Sequence, residues 1–321
     1  MTASPPTIRH PKITAPQFTT PQLSKERALS ARRRARRTAL IGWSFILPNF
    51  AGFALFTLIP VVACFFIAFT QWDAYNPPVL VGVNNFTRLL GDSNFWISVR
   101  NTAYYAFGHI PLTLAIALGL ALLLNRALRG IGIFRTALFF PYLTSLVAVA
   151  IVFNLLFAPD NGPINQILNS VGIANPPRWT ASTEWAMPTV IITSVWRDMG
   201  YYMILFLAGL QTIPREYYEA AEVDGANAWQ RFRNITLPSL RPTTYFVLIL
   251  LTISSFKVFD LIQVMTEGGP GRATLVLSQL IYRDGIVQGD YGYASAMSLA
   301  LFVIVLSFTI VQFKLSERGN K

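Results

Sequence analysis

Four charged residues sit where charge is expensive. Arg197 and Asp198 interrupt one long apolar run of the chain, and Lys257 and Asp260 interrupt another. An ionised side chain in hydrocarbon faces a protein interior or a water-filled path rather than lipid. Lys257 and Asp260 are three apart, which in a continuous helix puts them on one face where they could pair. Arg197 and Asp198 are adjacent and are expected to point in different directions. Near them, Asn154, Tyr201, Tyr202, Ser254 and Ser255 could bond hydroxyl groups, and Trp196 and Phe256 could stack on the apolar face of a ring. Such a set recognises a polar solute by hydrogen bonds and stacking, and breaks no covalent bond. The same residue types could instead hold two spans together or bind a partner in the membrane. His109, close to Pro111, marks an irregular or polar helix interior rather than a metal site, because no second histidine lies in an apolar run. Cys64 is the single cysteine, so no disulfide and no cysteine-based zinc site forms within the chain. None of the five lysines follows a glycine, so the Gly-Lys pattern that cradles nucleotide phosphates is absent and the chain is not expected to hydrolyse ATP.

The elements that must position these residues are membrane helices. Hydrophobic residues make up 53% of the 321 and charged residues 13%, about half the usual share for a soluble domain. Apolar runs over 39–69, 102–124, 133–157, 187–210, 243–264 and 291–313 predict an all-α membrane protein with six transmembrane helices. Pro48 and Pro60 are expected to bend the first. The net charge of +11 does not point to nucleic acid, because nine of the Lys and Arg residues lie in the first 37 positions, just ahead of the first run. Residues 1–38 are expected to form a disordered basic arm, whose segment 29–38 could lie as a short helix against anionic headgroups. The long basic region and the lack of a small-residue cleavage site argue against a cleaved signal peptide. Six spans put both termini on one side. Placing that side in the cytoplasm sets 19 Lys or Arg inside, with a tail at 315–321, against five outside at Arg88, Arg100, Arg178, Arg272 and Arg283.

Between the fourth and fifth runs lies a polar stretch of about 28 residues, far longer than a turn requires. Pro214 suits the first turn of a helix, Arg215 to Asp224 reads as a short helix ended or bent by Gly225, and Ala226 to Asn234 reads as a second. Trp229, Phe232 and Ile235 share roughly one face of it. The order Glu219-Ala220-Ala221, Gly225, Ile235, Leu237-Pro238 matches seven specified positions over twenty residues, and in this it resembles the coupling-loop signature of permease subunits in binding-protein-dependent ABC importers. Leu207 to Pro214 before it and Leu240-Arg241-Pro242 after it resemble the carbohydrate-uptake branch. Phe259-Asp260, Thr266, Gly268-Gly269-Pro270 and Thr274 resemble the first permease of maltose, lactose or glycerol-phosphate systems. The likeness covers roughly residues 40–314.

The resemblance implies a permease fold whose domain spans 39–314 and whose coupling loop, 214–240, forms short cytoplasmic helices docked into an ATPase subunit. On that pattern Glu219 meets the ATPase, Ala220 and Ala221 give it a small contact surface, Gly225 is the bend that lets two helices cross closely, and Asp224, Ile235, Leu237 and Pro238 complete the motif. It further implies a homologous second permease, two copies of a cytoplasmic ATPase that holds the ATP and Mg, and an extracytoplasmic solute-binding protein, all at a bacterial cytoplasmic membrane. An ion-coupled transporter acting alone, or an ABC permease for a solute other than a sugar, remain the competing expectations.

Overall fold

A computed structural model describes residues 20–126 and 129–319. They form an all-α, multi-pass membrane protein that divides into two compact units between Val62 and Ala63. In the first unit, helix α1 (Thr20–Phe53) continues through Pro48 and widens into a π-turn over Ala54–Leu58, after which α2 (Ile59–Ile67) begins. Pro60 has no N–H to give the carbonyl four residues back, and the widened turn lies directly before it. Residues 1–19 lie outside the described residues. From Thr20 onward the basic segment is helical and continuous with the first span, so the helix that 29–38 could form begins earlier and runs unbroken into that span.

The second unit opens on a small hairpin, β1 (Thr70–Gln71) and β2 (Val79–Leu80), antiparallel with Thr70 opposite Leu80. Helix α3 (Asn84–Gly91) and the 32-residue α4 (Ser93–Leu124) follow, and the Asp92 side chain caps α4 by accepting the Asn94 N–H at 2.8 Å. Next come α5 (Ile131–Leu143), α6 (Leu146–Leu156), α7 (Pro163–Ser170) and α8 (Ala186–Gln211). Then follow α9 (Arg215–Val223), α10 (Ala228–Arg231), α11 (Leu237–Ser239), α12 (Arg241–Phe256), α13 (Asp260–Met265), α14 (Leu277–Tyr282) and α15 (Tyr291–Gly319).

Among the described residues, four helices are long and apolar enough to cross a membrane: Arg37–Ile67, Ser93–Leu124, Ala186–Gln211 and Tyr291–Ser316. The number reaches six when each of two bent pairs is taken as one span. One pair, α5 and α6, replaces the straight third span expected over 133–157 with a bend of 97°. Thr144 takes an extended conformation there, and its hydroxyl donates to the Pro141 carbonyl at 2.6 Å, satisfying an acceptor the broken helix leaves free. The other pair joins Ala228–Ser239 to α12 at 64°. The fifth span, expected to be one helix over 243–264, is two: α12 stops at Phe256 and α13 starts at Asp260.

Three apolar clusters hold the second unit together. Met203, Phe206 and Leu210 of α8 pack with Val247 and Leu251 of α12 and with Ala117 and Ala121 of α4. Tyr105, Met187, Val190, Leu261 and Ile262 join α4, α8 and α13. Leu89, Phe95, Leu277, Leu280, Tyr293 and Met297 form the third, around the start of α4 and the start of α15. In a bilayer these helices gain little from leaving lipid, so close approach and polar ties matter more. Gly108 of α4 meets Ile191 of α8, and Gly200 of α8 lies against the Leu138 carbonyl of α5. Asn101 donates to the carbonyls of Arg272 and Leu275 at 2.8 and 3.0 Å, and the Thr102 hydroxyl accepts the Leu277 N–H at 3.0 Å.

Candidate functional site

A cavity of about 180 Å³ lies where α4 and α8 meet the break between α12 and α13. The break itself makes it: a continuous helix through Lys257, Val258 and Phe259 would keep those residues on a closed turn, whereas here all three line the space. Arg197, Asp198, Ser254, Lys257 and Asp260 line it too, so five of the side chains nominated from the sequence come together. Lys257 and Asp260 do not share a helical face, because α12 ends just before Lys257 and Asp260 opens the next helix. No ion pair joins them among the described residues. Arg197 and Asp198, expected to diverge, pair at 2.7 Å, since the long arginine side chain bends back over its neighbour. Two cations and two carboxylates give the lining no formal excess of either sign.

Behind the charged lining is a clasp between three helices. His109 of α4 is buried, its Nδ1 2.9 Å from the Ser255 hydroxyl of α12 and its Nε2 3.3 Å from the Asp198 carboxylate of α8. The second contact lacks the alignment of a hydrogen bond and acts through charge and dipole alone. Tyr105, one helical turn earlier, stacks on the His109 ring at 5.3 Å and donates from its hydroxyl to Ser194 of α8 at 2.8 Å. The Arg197 guanidinium lies 5.0 Å from the Tyr142 ring centre, and Tyr142 stacks on Tyr201 at 4.4 Å.

The other nominated residues serve packing within the chain. Asn154 donates to the Val264 carbonyl at 3.3 Å and ties α6 to α13. Trp196 packs on Phe153 at 5.0 Å, away from the cavity, and Phe256 packs on Phe308 at 5.1 Å. Tyr202 is buried, its hydroxyl 3.4 Å from that of Ser254, and Ser255 is buried behind His109. Tyr105, Ser194 and Phe259 line the cavity without having been nominated. A signal existed for the first: Tyr105 and His109 are four apart in an apolar run, hence on one helix face.

At the far end of α4 and α8 the polar stretch forms α9 as expected, whereas the second helix, expected over Ala226 to Asn234, runs from Ala228 to Ser239 with a π-turn over Phe232–Thr236. Helix α9 ends in a Schellman motif, with the Ala226 N–H bonded to the Ala221 carbonyl at 2.8 Å and the Gly225 N–H to that of Glu222 at 3.1 Å. Gly225 has φ +77°, the left-handed conformation such an end requires. A Cβ at Gly225 would meet nothing within 4 Å, so within this chain the glycine is needed for its φ and not for a close helix crossing. Gly225→Ala is therefore expected to cost about 1–2 kcal/mol; faster amide exchange over 219–235, with unchanged membrane insertion, would register it. The second helix starts with a capping box, Asn227 and Gln230 each bonding the other's backbone N–H at 2.9 and 2.8 Å. Tyr218 bonds Thr236 across the pair at 3.0 Å, and Ile213, Ile235 and Leu240 anchor the loop on the α4–α8–α12 core. Glu219, Ala220, Asp224 and Leu237 stay exposed, Ala221 and Pro238 are half-buried, and Trp229 is 65% and Val223 88% exposed.

The turn after α13 is built by residues that the sequence singled out. The Thr266 and Thr274 hydroxyls lie 2.8 Å apart, and Thr274 donates to the Gly269 carbonyl at 2.8 Å. Among the described residues no cluster of three or more His, Cys, Asp or Glu side chains could hold a metal ion.

Residues 109–319 match the family model described as "Binding-protein-dependent transport system inner membrane component". The chain is 40% identical over 294 residues to a probable ABC transporter permease protein, YesP, of Bacillus subtilis (strain 168), covering 90% of this chain and 94% of that one. It is 38% identical over 282 residues to the trehalose/maltose transport system permease protein MalF of Thermococcus litoralis, covering 88% and 95%. Among solved structures, a chain of a bacterial ABC transporter involved in the import of the acidic polysaccharide alginate superposes with a TM-score of 0.80 at 25% identity, covering 91% of this chain and all of that one.

Proposed function

Because the chain belongs to the family of inner membrane components of binding-protein-dependent transport systems, we propose that it is the permease subunit of an ABC importer for a sugar or sugar-like solute. The exposed two-helix loop at the end of α4 and α8 carries this reading: its pinned inner face and bare outer face suit an element pushed by a partner. Glu219, Ala220, Ala221 and Asp224 would meet a cytoplasmic ATPase, which supplies the ATP and Mg chemistry. Ile235 anchors the loop, and Leu237 and Pro238 lead it into α12. Both termini and the loop would lie in the cytoplasm, as the distribution of Lys and Arg favours. A second permease would complete the path, and a solute-binding protein would deliver at the opposite face.

Solute recognition falls to the cavity at the α12–α13 break. Its lining mixes paired and unpaired charges with hydroxyls, and without an excess of either sign it favours a polar solute of no net charge over an ion. Similarity to the trehalose/maltose permease supports the sugar class. Alternating access needs the three-helix clasp to part and re-form as the ATPase partner cycles.

Reconstitution of the whole complex with its binding protein tests the reading. Mono-, di- and trisaccharides and glycerol phosphate are offered in turn, and at least one is expected to stimulate ATP hydrolysis and enter the vesicle. Stimulation by none of them sinks the solute class. Glu219→Ala is expected to lower uptake by more than about tenfold, with insertion and subunit assembly intact, because it removes an exposed charge that no hydrogen bond or ion pair among the described residues uses.

A further inference from the structure

A second polar cavity, of about 700 Å³, lies at the opposite end of α4 from the two-helix loop, between the β1–β2 hairpin, α3 and the turn at 288–290. Its walls are pinned. The Trp72 carbonyl accepts the N–H groups of Tyr291 and Gly292 at 3.0 and 3.3 Å, and Gly292 packs on the Thr70 carbonyl too closely to admit a Cβ. Asn85 donates to the carbonyls of Ala68 and Thr70, while Arg88 pairs with Asp290 at 2.6 Å and lies 3.8 Å over the Tyr293 ring. Asp73 is spent on its own turn: it accepts the N–H groups of Tyr75 and Asn76 and the Asn76 side-chain amide. Hydrogen bonds from the Asn76 backbone and side chain hold its carboxyl below the usual carboxylate range.

What the cavity leaves free is specific in kind. Among the described residues, the carboxamides of Gln71, Asn84 and Gln288 make no hydrogen bond, and neither does the Trp72 indole N–H, yet all four residues line the same space. A carboxamide offers a donor and an acceptor side by side, which matches a pair of neighbouring hydroxyls, and an indole face suits the C–H face of a sugar ring. Arg88 and Asp290 neutralise each other, and the remaining charge, the Asp73 carboxylate, is turned into its own turn, so nothing in the lining draws an anion. The volume is that of a small-molecule site. We propose that this cavity is a second saccharide-binding site for uncharged sugars, separate from the cavity at the helix break and placed at the face away from the two-helix loop. The proposal rests on the sugar-import reading for its ligand class.

The test uses the full complex in nanodiscs without the soluble binding protein. Saturation-transfer NMR is recorded with glucose, maltose, maltotriose and glycerol 3-phosphate, on wild type, on the triple variant Gln71→Ala/Asn84→Ala/Gln288→Ala, and on Lys257→Met. At least one neutral sugar is expected to bind wild type, to lose at least about tenfold in affinity in the triple variant and to keep its affinity in Lys257→Met, while glycerol 3-phosphate binds more weakly. The three residues are exposed and their amides make no hydrogen bond among the described residues, so the triple variant is expected to match wild type in melting temperature. Equal binding to wild type and triple variant overturns the proposal, as does absence of binding in a complex that imports sugar. If the cavity binds sugar yet the complex imports none, the second site stands and the import reading falls.

Discussion

Asp198→Ala is expected to destabilise the protein and abolish most of its transport, because one substitution strips the partner from the buried His109 and the half-buried Arg197. Arg197 loses its 2.7 Å ion pair and His109 its nearby carboxylate, while the Arg197 Nε already lacks a partner. Leaving a charge uncompensated inside a protein costs about 3–5 kcal/mol, and the partial exposure of this pair, 14% for Asp198 and 20% for Arg197, puts the effect toward the low end. A melting temperature lowered by several degrees in nanodiscs, with uptake down more than about tenfold, is the expected outcome. The double variant Arg197→Met/Asp198→Ala separates structure from recognition: removing both charges should restore most of the melting temperature and leave uptake lost. A melting temperature unchanged by Asp198→Ala would show that the three-helix clasp does not hold the bundle.

Gly200→Ala is the second large effect, and its cause is backbone against backbone. A Cβ at Gly200 would overlap the Leu138 carbonyl, and no side chain can rotate away to admit it. Either α5 moves off α8, and the 97° bend beyond it moves as well, or the helices fail to pack. Overpacking a close-fitted contact costs about 1–3 kcal/mol and more when the obstacle is rigid, so the variant should yield little protein in the monodisperse peak on size exclusion. Gly119→Ala is the matched control: that glycine sits in α4 with nothing within 4 Å of the added carbon, and wild-type yield is expected. Equal yields for the two variants would refute the steric account.

How far such features can be read without a structure depends on how local their cause is. Hydropathy is local, and the apolar runs marked most spanning segments within a few residues of the helices; the second helix starts at Ser93, nine residues before its run, because the polar residues of its first turns face the fold and not lipid. The two-helix loop was legible for the same reason: Pro214 and Gly225 each act on their own turn, as does the Asn227–Gln230 cap that only the structure brought out. The break after Phe256 was not, because Lys257, Val258 and Phe259 carry no helix-breaking chemistry. There the chain is turned by what it packs against, with Phe259 on Tyr282 at 5.0 Å and Leu261 and Ile262 in the α4–α8 core. The bend at Thr144 had a visible signal in Pro141, but nothing in that run reports its size. His109 could be read as a polar helix interior, whereas its partners Asp198 and Ser255 stand far along the chain and are brought to it only by the fold.

Helix α4 links the two ends of the second unit. Near its start Asn101 and Thr102 hold the 272–277 segment, and near its end Leu122 and Leu124 pack into the core that seats the two-helix loop. At 1.5 Å per residue its 32 residues form a rod of about 48 Å. A tilt of about 10° about its middle would move each end by about 4 Å, in opposite directions. In such a motion the helix would act as a lever with the histidine clasp near its middle as fulcrum. Pro111, two residues past His109, removes one backbone hydrogen bond beside that fulcrum and gives the lever its point of least bending stiffness.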